Sequence, residues 1–355
     1  MRFAGVLPSA IVLCGAMINY KRILFICGSV NQTTMMMKIA EHLPMYECWF
    51  TPHYTDGLLG MLERNGLLEW TIVGKGHQQR AADLLRKHNL NIDFAGRQHD
   101  YDLVVTCSDL FLPSNIRKKR IVLVQEGMTD PETVMYHVVK LLRLPRYLAS
   151  TSTFGLSHAY ERMCVASEGY KKLFVRKGAN PAKIVVTGIP NFDNCSSFVA
   201  STLPQASGYV LVATSDARET FKYENRRKTI EHAVRIAAGR KLVFKLHPNE
   251  NVARATREIE RYAPDAKVYH SCSIDALIAD CDVLITKYSS CVYVGIALGK
   301  DVYSDFPMEE LRRLCPIQNG GTSARAIADE CVDLLSRPTC NVYPLKDVTV
   351  SRRAS

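Results

Sequence analysis

The feature that most constrains this chain is an alternation that runs its whole length and starts twice. Short apolar runs, each closed by a small or polar turn, alternate with amphipathic stretches. In the first half, 22–28, 46–52, 101–109, 120–127 and 183–190 read as strands. Helical patterns lie at 32–43, 56–67 and 76–89, and 162–178 reads as strand, turn, helix and glycine cap. A small, polar, proline-containing stretch at 201–208 reads as a linker. The pattern then restarts. Strands are expected at 209–216, 241–248, 266–271, 282–290 and 301–306, and helices at 224–239, 252–263, 274–281, 291–299 and 323–337. Runs apolar enough to be buried on both faces, separated by helices, call for parallel sheets wrapped by helices, an α/β fold. With 355 residues, two such units are expected. The boundaries read as an N-terminal extension at 1–19, a first domain at 20–200, a second at 208–340 and a tail at 341–355.

Ligands of open parallel sheets sit beyond the carboxyl ends of the strands, so the polar residues that end these runs are the candidates. His247 and Pro248 end one strand. An imidazole there can donate to a phosphate or to a leaving group's developing charge, although a solvated turn histidine gives the same pattern. Lys245 shares its strand face. Thr286 to Ser290 lies between a strand and a helix, where backbone N–H groups and two hydroxyls make an anion site; helix capping by Ser289 or Ser290 is compatible with that role. Arg218, in the 213–219 loop, suits a phosphate or plain solvation equally. Glu126, in the turn 125–127, is the candidate base for an acceptor hydroxyl, with Asp130 in reserve; an acid favouring a helix dipole is the competing reading. Gly28, Ser29 and Asn31 follow the first strand. They form no Gly-x-Gly-x-x-Gly fingerprint, so a dinucleotide cofactor is not expected. No Asp-x-Asp motif follows a strand, so neither metal nor cofactor is required. Lysine, histidine, arginine and a helix start can stabilise a leaving diphosphate instead.

The formal net charge of +10 suits anionic partners. The basic residues are scattered or form short clusters such as 117–120, without an aromatic-interleaved stripe, so nucleic acid is not an expected partner. The twelve cysteines show no Cys-x-x-Cys pair. Several, including Cys27, Cys107, Cys164 and Cys281, sit in apolar runs and read as buried free thiols of a reducing compartment. The apolar stretch 4–16 is shorter than the roughly 20 residues a bilayer span takes. Met17 opens an ordinary cytosolic start, so an extension or upstream start is preferred over secretion. The stretch 134–148 mixes aliphatics with Lys140, Arg143 and Arg146. A buried helix with solvated basic residues is the favoured reading, and an interfacial segment suited to a lipid-linked acceptor is the alternative.

Residues 162–193 resemble the closing segment of the first domain in UDP-N-acetylglucosamine 2-epimerase-like GT-B proteins. Residues 242–251 and 275–306 resemble both that superfamily and the CDP-glycerol glycerophosphotransferase and capsule-polymer glycosyltransferase group. The resemblance implies a GT-B fold, in which two Rossmann-like domains with parallel sheets flank a cleft. It assigns His247 a donor-phosphate or catalytic role and gives the donor pyrophosphate to the loop of Lys287, Tyr288, Ser289 and Ser290. Two details favour the transferase side. The loop carries Ser-Ser where epimerases carry Ser-Gly-Gly. Ser215 and Asp216 stand where the epimerase motif begins with an active-site histidine, although Arg218 and Glu219 remain. The expected function is therefore transfer of a sugar or phosphopolyol from a nucleotide-activated donor to a glycan or lipid-linked acceptor, in cell-surface polysaccharide synthesis. The alternatives are a nucleotide-sugar 2-epimerase and a non-catalytic nucleotide-sugar binding protein. The implied location is cytoplasmic, with peripheral contact at the inner membrane as a compatible arrangement.

Overall fold

The computed structural model describes residues 20–66, 74–201, 208–219 and 223–337. The expected extension, the tail and most of the linker lie outside these residues.

Six strands form the first sheet: β1 (Arg22–Cys27), β2 (Glu47–Pro52), β3 (Leu103–Thr106), β4 (Ile121–Val124), β5 (Arg162–Val165) and β6 (Ile184–Val186), in the order β2-β1-β3-β4-β5-β6. Five form the second: β7 (Val210–Ala213), β8 (Leu242–Lys245), β9 (Lys267–Tyr269), β10 (Val283–Thr286) and β11 (Asp301–Tyr303), in the order β11-β10-β7-β8-β9. The pairings are parallel throughout both sheets. The interior strands are apolar because both faces are covered: every residue of β3, β4, β7 and β10 is buried. Each sheet reverses its strand order once, at β1/β3 and at β7/β10. A crevice opens at such a switch point, beyond the strands' carboxyl ends.

The first sheet is wrapped by α1 (Val30–Ala40), α2 (Gly57–Arg64), α3 (Lys75–Lys87), α4 (Val134–Leu142) and α5 (Glu168–Lys177). Helices α6 (Arg226–Ala237), α7 (Val252–Tyr262), α8 (Ile274–Asp280) and α9 (Cys291–Ala297) follow strands of the second sheet. Asparagine or serine side chains cap the starts of α1, α5, α6, α7 and α8. The last two helices, α10 (Met308–Leu314) and α11 (Ser323–Ser336), return to the first sheet. Leu311, Ile327, Cys331 and Leu334 are buried in the same core as β1, β3 and β4. At on the order of 2 kcal/mol for each fully buried aliphatic side chain, this return holds the two halves together. Helix α10 was not anticipated from the sequence.

Close approach reinforces the joint. The hydroxyls of Tyr170 on α5 and Tyr293 on α9 share a buried hydrogen bond of 2.7 Å. A Cβ on Gly169 would lie 2.0 Å from the Arg313 carbonyl oxygen, so only glycine lets α5 and α10 meet this closely. The described cysteines are free, as expected. Burial pushes the thiols of Cys164 and Cys281 up to about 12, which leaves them as small apolar core residues.

His53, just beyond β2, is buried edge-on against Phe111, with ring centroids 6.2 Å apart. Burial lowers its pKa to about 4, an effect that the Tyr54 backbone partly offsets. The ring is therefore neutral when folded, whereas the unfolded chain takes up a proton near pH 6.5. Unfolding binds that proton between the two values, so stability is full above about pH 6.5 and falls as pH drops towards 4. Urea unfolding of the wild type at pH 4.5 and 7.5, compared with His53→Leu, should show the variant losing less on acidification, by on the order of 2 kcal/mol. Equal losses would mean that His53 does not titrate this way.

Candidate active site

The carboxyl ends of both sheets face one cavity of about 1260 Å³. The turn after β1 and the N-terminus of α1 contribute Ser29 and Asn31. Glu126 comes from the turn after β4, and His77 and Arg80 from the first turns of α3. Facing them are Thr214 after β7, Lys245 and His247 at the end of β8, and Ser289 and Ser290 after β10. Both switch points therefore feed the same space.

Glu126 is held from three sides. The Ser29 hydroxyl, which also caps α1, donates to Oε1 over 2.8 Å, and Asn31 Nδ2 donates to the same oxygen over 3.1 Å. Gln32 Nε2 donates to Oε2. Each carboxyl oxygen has two acceptor positions, so Oε1 is filled and Oε2 keeps one for another donor. Gln125 braces the turn from behind. Its amide donates to Gly127 O over 2.8 Å and accepts from Ala166 N–H over 3.0 Å.

His247 is positioned through its backbone. Its N–H points at Thr214 Oγ1 (3.1 Å) and Glu250 Oε2 (2.9 Å). The Glu250 side chain is fully buried and receives Arg226, itself buried at the start of α6, on its other oxygen. Asn249 N–H lies 3.2 Å from His247 Nδ1, which makes Nδ1 an acceptor and leaves the proton of the neutral ring on Nε2. Asp216 Oδ2 lies 3.6 Å from Nδ1 and would face its proton if the ring became charged.

The two loops meet directly. Met128 N–H donates to Ser290 Oγ over 2.9 Å, and a Cβ on Gly127 would lie 2.3 Å from that oxygen. Ser290 does not cap α9, a helix of seven residues; Ser289 Oγ receives Cys291 N–H at a long 3.5 Å.

Other residues singled out from the sequence are placed differently. Lys245 lines the cavity, but its ammonium donates to the carbonyls of Leu246 (2.7 Å) and His270 (2.9 Å), tying β8 to β9. Burial lowers its pKa. Arg218 forms a two-pronged pair with Glu258 on α7, both contacts 2.9 Å, in a separate depression. Asp130 receives the Thr151 hydroxyl over 2.9 Å and does not line the cavity. Gly28 is buried behind Ser29. Neither Lys287 nor Tyr288 lines the cavity; Lys287 O accepts from Ser304 Oγ, and the Tyr288 ring meets Phe306 edge-on.

Sequence reasoning missed His77, Arg80, Lys38 and Glu250. His77 Nδ1 lies 3.3 Å from Arg80 Nη2. Burial and then Arg80 lower the His77 pKa, whereas Asp216 and Glu126 act to raise it and His247 to lower it; the ring thus feels groups from both sides of the cavity. Lys38 donates to Pro190 O and Asn191 Oδ1, both 2.8 Å, at the cavity edge. The i, i+3 pairing of His77 with Arg80 on an amphipathic helix was the available signal, but ordinary solvent-facing helices share it. Among the described residues, no three His, Cys, Asp or Glu side chains converge as a metal site would require.

No protein-family model matches the sequence, and comparison with curated proteins finds no match. Solved structures do match. The wall teichoic acid polymerase TagF aligns with a TM-score of 0.50 at 10% identity, over 89% of this chain and 88% of that one. A UDP-N-acetylglucosamine 2-epimerase aligns at 0.50 and 13%, over 89% and 96%. The UDP-GlcNAc 2-epimerase from Neisseria meningitidis, bound to UDP-GlcNAc, aligns at 0.53 and 11%, over 88% and 100%. At this identity the likeness establishes the fold alone: the chain has the two-sheet GT-B architecture.

The buried Arg226–Glu250 pair gives a measurable consequence. Arg226→Met strands the buried Glu250 carboxylate and should cost about 3–5 kcal/mol, whereas Glu250→Leu leaves Arg226 paired with Glu224 at 3.1 Å and should cost less. The double variant should cost less than the sum, because Arg226 and Glu250 no longer strand each other, while the buried Glu224, 3.1 Å from Arg226, still loses its cation. Urea unfolding of the three variants tests this; additive losses would show that the two groups do not act as a pair.

Proposed function

We propose that this chain is a transferase that moves a sugar or phosphopolyol from a nucleotide-activated donor to a glycan or lipid-linked acceptor in cell-surface polysaccharide synthesis. The observation that carries the reading is the pairing of an oriented carboxyl group with a proton-donating imidazole in one cavity between two sheets. Glu126 has one unfilled acceptor position on Oε2, and His247 carries its proton on Nε2. An acceptor hydroxyl can give its proton to Glu126 as it attacks. His247, with the Ser289 and Ser290 hydroxyls, can stabilise the charge that builds on the departing nucleotide diphosphate.

This reading makes 20–200, with the returning helices α10 and α11, the acceptor side, and the second sheet with α6 to α9 the donor side; the 208–340 boundary expected from the sequence is shortened because α10 and α11 pack into the first core. His77 and Arg80 stand on the acceptor side, where a cationic or hydrogen-bonding group can meet the transferred moiety. Lys245 and Arg218 act in this scheme as structural cations. Two structural neighbours support a nucleotide donor: the Neisseria epimerase is bound to UDP-GlcNAc, and a variant of TagF was solved after a soak with CDPG. The absence of a histidine at 213–219 favours transfer over epimerisation, since Asp216 there receives Asn249 Nδ2 over 2.9 Å and faces His247.

Thermal unfolding against a panel of UDP-, CDP-, GDP- and dTDP-sugars and CDP-glycerol tests donor binding. The right donor at 100 times its Kd should add about 2.7 kcal/mol of apparent stability. With that donor, Glu126→Gln should keep the thermal shift and lose roughly 10²–10⁴-fold in turnover. Equilibration of the free donor's sugar without any acceptor would point instead to an epimerase. A shift without any turnover in the wild type would point to a binding protein. If no nucleotide diphosphate shifts the transition, both enzymatic readings fall.

A further inference from the structure

The segment 134–148 contradicts the buried helix that its sequence favours. Tyr136 and Val139 pack inward with Ala149 in a small cluster of their own, and Tyr147 stacks on Phe111 with ring centroids 5.5 Å apart. Leu141 is 82% exposed, Val134 80% and Leu142 62%, and Met135, Leu144 and Leu148 also stand in solvent. Six large apolar side chains from fifteen consecutive residues are thus wholly or partly exposed on one helix and the segment after it. Scattered exposed leucines need no explanation, but a contiguous group of them marks a surface that something covers.

The charge pattern identifies the occupant. From Thr133 to Tyr160 there is no acidic residue, while Lys140, Arg143 and Arg146 all fall inside the segment. Arg146 is used internally, paired with Asp109 at 2.9 Å. Arg143 is exposed at the end of α4. Lys140 donates to Lys177 O over 3.1 Å and stays at the surface. Alongside, α5 presents the exposed Lys172, Val175 and Arg176. Arg176 is paired with Glu132 at 3.2 Å, which leaves Lys140, Arg143 and Lys172 as the cations beside the exposed aliphatic side chains, a pattern that matches an anionic bilayer. There the leucines enter the headgroup and acyl boundary while the cations stay at the level of the phosphates. A second copy of this chain would bring the same cations against themselves, which disfavours it.

We propose that the 134–148 segment seats the protein on an anionic membrane surface through Val134, Leu141 and Leu142, with Lys140, Arg143 and Lys172 at the headgroups. The binding itself is independent of the reaction. Its use for a lipid-linked acceptor rests on the proposed function, in which α4 belongs to the same sheet and the same side of the cavity as Glu126.

Sedimentation of the full chain with vesicles of phosphatidylcholine, alone or mixed with phosphatidylglycerol, tests the seat. The wild type should sediment with the mixed vesicles, less with neutral ones, and less at high salt. Leu141→Asp combined with Leu142→Asp should weaken binding about tenfold or more, since both side chains would leave the boundary. Arg143→Glu should weaken it on the mixed vesicles only. These positions are exposed, so the thermal transition and the donor-induced shift should stay at wild-type values, which separates loss of the seat from failure of the nucleotide site. Three results would overturn the proposal: no sedimentation with mixed vesicles; undiminished sedimentation of the double variant, which would put the contact elsewhere, for example in the apolar stretch 4–16; or a lipid-free dimer that the double variant dissolves.

Discussion

The hydrogen bond from Met128 N–H to Ser290 Oγ is the contact on which the geometry of the cavity depends. It joins a loop of the first sheet to a loop of the second at the point where chemistry would occur. It can form only because Gly127 has no side chain to displace Ser290. A single such bond contributes about 1 kcal/mol, too little to hold two domains. What makes it decisive is the company it keeps. The Tyr170–Tyr293 bond, the contact of Gly169 with Arg313 and the return of α10 and α11 into the first core all restrict the same joint. Packed interfaces of this kind deform little. Glu126 and His247 are therefore held in a defined relation even though no hydrogen bond runs between them.

Most of this fold was legible in the sequence, for a simple reason. Strands such as β4 and β10 are short, wholly apolar and bounded by turns, and the helices between them keep a clear polar face. Local pattern and final structure agree there. Helix α10 and the homeward path of α11 were less legible, because an amphipathic helix does not say which of two cores receives it. The strand-end rule brought Glu126, His247, Ser29, Asn31, Ser289 and Ser290 to one cavity. It also selected Lys245, Arg218 and Asp130, which the structure commits to other partners. A sequence position locates a side chain near a strand end but not the carbonyl or carboxylate waiting for it. Lys245 is the clearest case: its place lines the cavity, yet two backbone oxygens take up its ammonium.

Unused hydrogen-bonding capacity then separates groups available for chemistry from those spent on structure. Lys245 and Arg218 have their partners already. Glu126 keeps an open position on one oxygen, and His247 accepts at Nδ1, so its other nitrogen is left to donate. Glu250 belongs to the structural set although it stands three residues from His247. By taking both the His247 N–H and Arg226, it aligns the turn without entering the cavity, so it acts on the site through another residue.

The 134–148 segment shows the limit of pattern in the other direction. Periodicity records that apolar residues share a face; it does not record whether protein lies opposite that face. A core helix and an interfacial helix have the same alternation, and lysine and arginine occur at the edges of both. They part company only in what surrounds them. In α4 the inward side needs mainly Tyr136 and Val139 to dock on the 146–153 segment, and Val134, Leu141 and Leu142 stay largely exposed. Leucines that stay exposed on α4 are hard to account for by folding alone, because burying them would stabilise the chain. Their persistence in solvent, together with a run of 28 residues free of acids, is what a surface met by anionic lipid requires.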